Sequence, residues 1–386
     1  MVSPISKPRV LIFSTAYFPF VGGAEIAIKE ITDRLIDYDF DLITVNFGAE
    51  YLPIETVGRV TVYRVGRGTL GKFLLPIFGV IKAYKLNQIR KYNFLWAMMA
   101  SQAGVTTAIY NKFFFQGRLL LTLQEGDEET HLARYVGGVS FLYRLLIKPW
   151  YLFVLKSATQ VTVISHYLKS RAVTTGVNVP ITVVPNGVNF EVFKPATNKF
   201  ILDYKLVVTT SRLVEKNNID TLIRAMVYLP SDVHLAIVGD GPDRGKLTKI
   251  IDELSLSDRV EIIGYLPQVD MLTFLRQADV YARVSRSEGL GNSFLEAMAV
   301  KVPVLASAVG GIVDFLDDGR TGWFADPNNS KDIAEKITYI LQSSNKEVVQ
   351  EVVEKAFIKV HQDYTWESVV LRLKPIFDLL TTNDSK

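Results

Sequence analysis

Two carboxylates lie eight positions apart in the stretch Ser285-Arg286-Ser287-Glu288-Gly289-Leu290-Gly291-Asn292-Ser293-Phe294-Leu295-Glu296-Ala297-Met298-Ala299. Glu288 falls in a glycine-broken loop, and the pattern predicts a helix that begins near Asn292 and carries Glu296. Loop amides at Gly289, Leu290 and Gly291 can point at an anion, and a helix N-terminus adds its positive dipole end. Each Glu is then free to accept hydrogen bonds from hydroxyls on either side of that anion. A sugar, a diphosphate and a ribose, in that order, fit the arrangement, which reads as a nucleotide-sugar site. Two other readings compete. Most Glu residues on helices are simply solvated. A hydrolase pair needs carboxylates roughly 5–9.5 Å apart, whereas eight residues of continuous helix span about 12 Å; the loop at Glu288 leaves that reading disfavoured, not closed.

The elements that must position this stretch alternate along the chain. Residues 9–14 are a continuous apolar run, as a strand buried on both faces requires. A Gly-Gly turn, a helix at 24–38 and a strand at 41–46 are expected to follow. Further strands are predicted at 59–65, 94–98, 119–123 and 159–164, with helices at 73–92, 141–156 and 167–175; Pro149 is expected to kink the second of these. The chain turns at 184–189, and a linker to about Lys199 leads to a second set. Its strands are predicted at 205–210, 234–238, 260–263, 280–282 and 302–306, and its helices at 219–228, 243–254, 268–277, 293–300 and 330–341. Both halves read as βαβ arrays. The expected fold is α/β, two doubly wound domains with a cleft between them and ligands at the carboxyl ends of the strands.

Several strand-to-helix junctions carry residues that suit such a ligand. Gly22-Gly23-Ala24-Glu25 opens the first helix, where glycines let a phosphate or sugar approach the backbone; an ordinary tight turn is the plain alternative. In Ser211-Arg212-Leu213-Val214-Glu215-Lys216-Asn217, Arg212 and Lys216 stand a helical turn apart and make a clamp for a leaving diphosphate, or else a common surface pair. Val238-Gly239-Asp240-Gly241-Pro242 leaves backbone room at the end of the next strand, and the main chain of Gly264-Tyr265-Leu266 can read a base edge. These motifs occur in order with Pro185-Asn186-Gly187-Val188, the Glu288 to Glu296 stretch, Val309-Gly310-Gly311 and Tyr364-Thr365-Trp366-Glu367. Over nearly its whole length the chain thereby resembles a retaining glycosyltransferase of family 4, the glycosyl transferases of group 1.

The resemblance implies a GT-B fold of two facing Rossmann-like domains. An acceptor domain would span 1–195, with a C-terminal helix at 364–386 crossing back onto it, and a nucleotide-sugar donor domain would span 196–363. Arg212 and Lys216, helped by the amides of Gly22 and Gly23, would neutralise the donor diphosphate. Glu288 would hold donor sugar hydroxyls and Glu296 the ribose. Gly289, Leu290 and Gly291 would offer amides to the sugar and distal phosphate; Gly239 and Gly264 would leave room for the donor, and Tyr265 and Leu266 would border the base. Glu25, Gln124, Glu125, His131 and Asn186 are candidate contacts to sugar or acceptor. The family also implies no metal and no cofactor beyond the nucleotide sugar, fixed cations and dipoles meeting the leaving-group charge. It implies retention by same-face attack, with the leaving phosphate taking the acceptor proton. The chain departs from the family at two places. Where the family often has Lys then Gly after the Arg, Asn217 and Asn218 stand, with Lys216 one residue early. Where the family commonly has a His after the strand at 119–123, the chain reads Gln124-Glu125-Gly126-Asp127.

Composition bounds the rest. A chain of 386 residues, 48% hydrophobic, is long enough for two full cores. With no cysteine and only His131, His166, His234 and His361, disulfides and thiolate metal sites are excluded and a zinc site is not expected. No signal-peptide pattern precedes the first strand, and the longest apolar runs fall short of the about 20 residues of a membrane span. A cytoplasmic, soluble or peripheral protein is expected. Residues 1–190 carry 20 Lys and Arg against 12 Asp and Glu, a net +8, and the remainder carries 23 against 28, a net −5. No acid occurs between Thr56 and Gln124, where ten basic residues fall, nor between Thr130 and Phe190. Aromatic and aliphatic residues interleave with these bases, which suits an anionic membrane surface on the inner face; core packing with solubilising bases is the alternative. No motif for nucleic acid accompanies the charge. The expected activity is transfer of a hexose from a UDP- or GDP-linked donor to a lipid-linked or polysaccharide acceptor. A nucleotide-sugar epimerase of the same architecture, or a non-catalytic binder of sugar or anionic lipid, stays open at this level.

Overall fold

The computed structural model describes residues 7–20, 22–124, 145, 147–196 and 202–382. Contacts divide the chain into two units, residues 1–186 with 366–386, and residues 187–365. The first unit is built on an eight-stranded sheet. Its strands are β1 (Arg9–Phe13), β2 (Asp39–Val45), β3 (Ile54–Val57), β4 (Val60–Val65), β5 (Phe94–Met98), β6 (Arg118–Leu123), β7 (Gln160–Val163) and β8 (Ile181–Val183), in the order β3-β4-β2-β1-β5-β6-β7-β8. All neighbours are parallel except β3 with β4. Helices α1 (Gly23–Arg34), α2 (Gly68–Arg90), α3 (Gln102–Tyr110), α4 (Lys148–Ser157) and α5 (His166–Thr174) connect them, with a π-helical turn at Asn111–Phe115 continuing α3.

Strands buried on both faces explain the apolar runs: every residue of β5 is buried, and all of β1 but its first. Of the helix expected at 141–156, residues 141–144 and 146 lie outside the described residues, and the kink expected at Pro149 is judged only from 147 onward. There Pro149 sits in the first turn of α4, where the N–H it lacks has no intrahelical partner to lose.

The second unit carries a six-stranded, wholly parallel sheet of β9 (Lys205–Thr210), β10 (Val233–Val238), β11 (Val260–Gly264), β12 (Val280–Arg283), β13 (Val304–Ala306) and β14 (Trp323–Phe324), in the order β11-β10-β9-β12-β13-β14. Its helices are α6 (Ile219–Ala225), α7 (Arg244–Glu253), α8 (Gln268–Gln277), α9 (Asn292–Ala299), α10 (Ser330–Leu341) and α11 (Lys346–Asp363). Asn329 caps α10 by accepting from the amides of Lys331 and Asp332.

The dividing points have local causes. The segment after Asn186, expected as a linker attached to the first half, packs on the second unit instead: Val188 N–H donates to the Tyr364 carbonyl (2.7 Å), Phe190 meets the rings of Phe357 and His361, and Arg276 Nε donates to the Lys194 carbonyl (2.9 Å). The last helix, α12 (Trp366–Thr381), returns to the first unit. There Trp366, Val369, Leu373, Ile376 and Phe377 join the core of β1, β2, β4 and β5.

Candidate active site

Within the second unit, the carboxyl ends of β9, β10 and β11 are fastened side by side. Ser211 N–H donates to the Val238 carbonyl (3.0 Å), and Gly239 N–H to the Gly264 carbonyl (2.7 Å). Gly239 cannot be replaced without movement, because its φ is +147° and a Cβ there would lie 1.8 Å from the Ser211 carbonyl oxygen. Tyr265 after β11 is exposed, and Leu266 half-buried.

Arg212 follows Ser211 on an extended segment. Its side chain is exposed and pairs with no carboxylate among the described residues. Residues Glu215–Asn217 form a 3₁₀ turn, so Arg212 and Lys216 do not share the helix their spacing suggested; they flank one loop. That loop is pinned by Arg286, whose amide donates to the Lys216 carbonyl and whose guanidinium donates to the Glu215 carbonyl, each at 2.7 Å.

The two asparagines that depart from the family pattern have structural duties. Asn218 takes the left-handed conformation (φ 57°, ψ 36°) in which Asn, among non-glycine residues, is comfortable. Its Nδ2 donates to the carbonyls of Val284 (2.8 Å) and Pro327 (2.6 Å). Asn217 is buried; its Nδ2 donates to the Arg212 carbonyl (2.6 Å), and its Oδ1 accepts from Arg283 (2.9 Å).

Arg283, the last residue of β12, is the residue that sequence reasoning missed. Its buried guanidinium is ion-paired with Glu288 and donates to Asn217, to Ser293 Oγ (3.0 Å) and to Ser285 Oγ (3.2 Å), with the Phe294 ring against it. A charge in an otherwise apolar strand run, five residues before a loop carboxylate, was the available signal.

Glu288 is therefore held at two places. Its carboxylate is fixed by Arg283, and its carbonyl accepts from Gly311 N–H (3.2 Å). Gly310, at φ +58°, makes that approach feasible, since a Cβ would lie 1.8 Å from the Glu288 carbonyl oxygen. Gly289, Leu290 and Gly291 lead into α9, and their amides have no acceptor among the described residues. Glu296 lies one turn into α9, accepting from Gln268 Nε2 (3.3 Å). Burial pushes its carboxyl up to about 7, with the Gln268 hydrogen bond and the Arg283 charge pulling the other way.

The other predicted residues lie in the first unit. Gly22 is the N-cap of α1, and Gly23 is its first residue. Gly22 N–H donates to Glu25 Oε2 (2.8 Å), so the buried Glu25 caps its own helix. Burial raises the Glu25 carboxyl, opposed by hydrogen bonds from its own amide and that of Gly22. Gln124 and Asn186 come together by reciprocal amide bonds of 3.1 and 3.2 Å. Glu125 and His131 lie outside the described residues. Among the described residues no group of His, Cys, Asp or Glu side chains is gathered as a metal-ligand set.

Residues 191–357 match the family model of glycosyl transferases group 1, and residues 21–192 match that of Glycosyltransferase Family 4. The chain belongs to the family 4 glycosyltransferases. It is an enzyme of sugar transfer with the GT-B type of architecture, two Rossmann-like parallel sheets. This glycosyltransferase is 25% identical to an uncharacterized glycosyltransferase of Methanocaldococcus jannaschii over 373 residues, covering 96% of this chain and 98% of that one. It is 28% identical to a phosphatidylinositol N-acetylglucosaminyltransferase of Arabidopsis thaliana, covering 96% and 82%. The solved structure of Anabaena HepE in complex with UDP and glucose shares the fold, with a TM-score of 0.78 at 20% identity over 96% of this chain and all of that one.

Proposed function

We propose that this glycosyltransferase moves a hexose from a UDP- or GDP-linked donor, with retention and without a bound metal, to a lipid-linked or polysaccharide acceptor at the cytoplasmic membrane face. The observation that carries the reading is the Glu288 loop: a carboxylate locked by Arg283 beside three amides that have no acceptor in the described chain. The second unit takes the donor. Arg212 and Lys216 meet the diphosphate, the amides of Gly289, Leu290 and Gly291 meet the sugar and the distal phosphate, Glu288 accepts from sugar hydroxyls and Glu296 from the ribose. Gly239 and Gly264 leave room for the donor, and Tyr265 and Leu266 border the base.

In the transfer itself the anomeric carbon–phosphate oxygen bond breaks while the acceptor hydroxyl attacks from the same face, and the acceptor proton passes to the departing phosphate oxygen. No side chain of the protein forms a covalent intermediate. Fixed positive charge at the diphosphate then does the stabilising, most effectively away from water. Residues of the first unit, among them Gln124 and Asn186, are assigned to the acceptor. The relatives support this reading: the Anabaena protein is solved with UDP and glucose, and the Arabidopsis protein is named for a phosphatidylinositol substrate.

Release of free nucleotide from a panel of UDP- and GDP-sugars, with and without lipid-linked acceptors, tests the assignment. Arg212→Ala and Glu288→Gln are each expected to lower kcat/KM for the accepted donor by about 10²–10³-fold, the loss typical of removing one charge-stabilising group. Turnover unaffected by both substitutions places the chemistry elsewhere.

A further inference from the structure

α2 is apolar on two sides. Gly71, Leu75, Gly79, Val80, Ala83 and Leu86 face the core of the first unit. The opposite side bears Leu70, Phe73, Ile77, Ile81 and Tyr84, spaced three and four apart and each about half or more exposed, with Phe73 at 65% and Ile77 at 56%. An outward stripe at helical period on a helix that already buries its other face has no role in its own core.

The stripe continues beyond α2. Tyr84 meets the ring of Phe114 edge-on (5.7 Å) in the π-helical turn, where Phe113 is also exposed. Lys112 of that turn reaches the Phe153 ring on α4 (5.5 Å), and Phe153 contacts the exposed Trp150 (6.2 Å). Their exposed positions include Lys85, Lys112 and Lys156, and the three elements contain no Asp or Glu, whereas Lys82 lies over the Tyr63 ring of β4 (4.5 Å) and is no part of the band.

We infer that this band is a docking surface for an anionic phospholipid bilayer, lying in the headgroup layer with its rings and aliphatics inserted and its lysines at the phosphates. Charge decides the occupant. A second copy would set lysine against lysine with no carboxylate on the band to answer them, while an anionic bilayer attracts each basic residue near its surface. The band lies on the membrane and does not cross it, since no helix among the described residues is long and apolar enough to span one. The inference rests on the membrane-face part of the function proposed above and gives that membrane its contact residues.

Co-sedimentation of the full chain with vesicles of phosphatidylcholine alone or mixed with phosphatidylglycerol tests it, with donor turnover measured on the same preparations. The wild type is expected to partition onto the anionic vesicles and weakly onto neutral ones, and the attraction to fade as salt rises. The exposed-residue variant Phe73→Ser/Ile77→Ser/Ile81→Ser is expected to lose at least about tenfold in partitioning, and Lys85→Gln/Lys112→Gln/Lys156→Gln to lose its preference for anionic lipid, both keeping wild-type donor turnover. Equal binding to both lipids, no binding at all, or an unchanged serine variant overturns the inference. So does a solution dimer of the wild type that the serine substitutions dissolve, which would assign the band to a second copy. Vesicle binding that survives with no turnover on any donor leaves the docking surface standing and removes the proposed reaction.

Discussion

A buried guanidinium is costly unless its donors are met, and those of Arg283 are met by Glu288, Asn217, Ser285 and Ser293. The side chain of Asn217 occupies the place where the family often has a lysine, and it accepts from this arginine. The positive charge that answers Glu288 therefore arrives from β12. The same charge acts on Glu296, whose carboxyl burial has raised from 4.5 to about 7. In the free protein the protonated form is favoured, so the stability tied to it is full below about pH 4.5 and is lost as pH rises through about 7. A ribose whose hydroxyls donate to the carboxylate selects the ionised form, so affinity runs the opposite way. Calorimetric titration with UDP is expected to show binding weakening by about tenfold per pH unit below 7 and levelling above it. Glu296→Gln flattens the profile. Arg283→Met shifts the inflection to higher pH because the lowering charge is gone, whereas Arg283→Lys leaves it near its place, a contrast that a purely packing role for Arg283 would not produce. A slope that persists in Glu296→Gln belongs to another group.

At the scale of elements, α12 shows how firmly the chain's end is built into the first unit. Phe377 makes edge-on or tilted ring contacts with Tyr38, Phe40, Phe94 and Trp96, at centroid distances of 5.0–6.4 Å. Phe377→Ala is expected to cost about 3–5 kcal/mol in urea denaturation, while truncating the exposed Leu371 on the same helix costs under about 0.5. Equal effects would mean that α12 is not part of that core. The elements that the sequence announced are those whose pattern has one cause. β1 and β5 are buried on both faces and read as unbroken apolar runs, and α8 and α10 alternate cleanly between core and solvent. The elements it hid have mixed causes. β3 is a four-residue antiparallel edge whose exposure alternates but whose residue types do not, since the apolar Ile54 stands on its more exposed side. α3 buries Thr106 and Thr107, whose hydroxyls bond back to the carbonyls four residues earlier and so look polar in sequence. β14 is only two residues long.

At the scale of the whole molecule, the donor assignment falls on one unit. Of the candidate site, Glu288, Glu296, Arg212 and the glycine turns stand out in the sequence because they are residue types that packing would not choose; Arg283 does not, because its meaning lies in partners from three separate segments. The assignment has a regional consequence. A ligand stabilises the folded state it binds by RT ln(1 + [L]/Kd), about 2.7 kcal/mol at 100 times Kd, and it suppresses the openings that expose its own contacts first. Hydrogen exchange with saturating UDP is therefore expected to slow most at the amides of 211–217, 239–241 and 289–291, where backbone N–H groups at Gly289, Leu290 and Gly291 gain acceptors they lack within the described chain. The interior of β1, β5 and β6, already enclosed in the first unit, should change little. In Arg212→Ala the protection at 289–291 should weaken along with affinity, while exchange in the free protein stays as in the wild type, since that side chain is exposed and pairs with no described carboxylate. Protection confined to the first-unit strands, with 289–291 exchanging freely, would move the nucleotide out of the second unit and take the proposed roles of both glutamates with it.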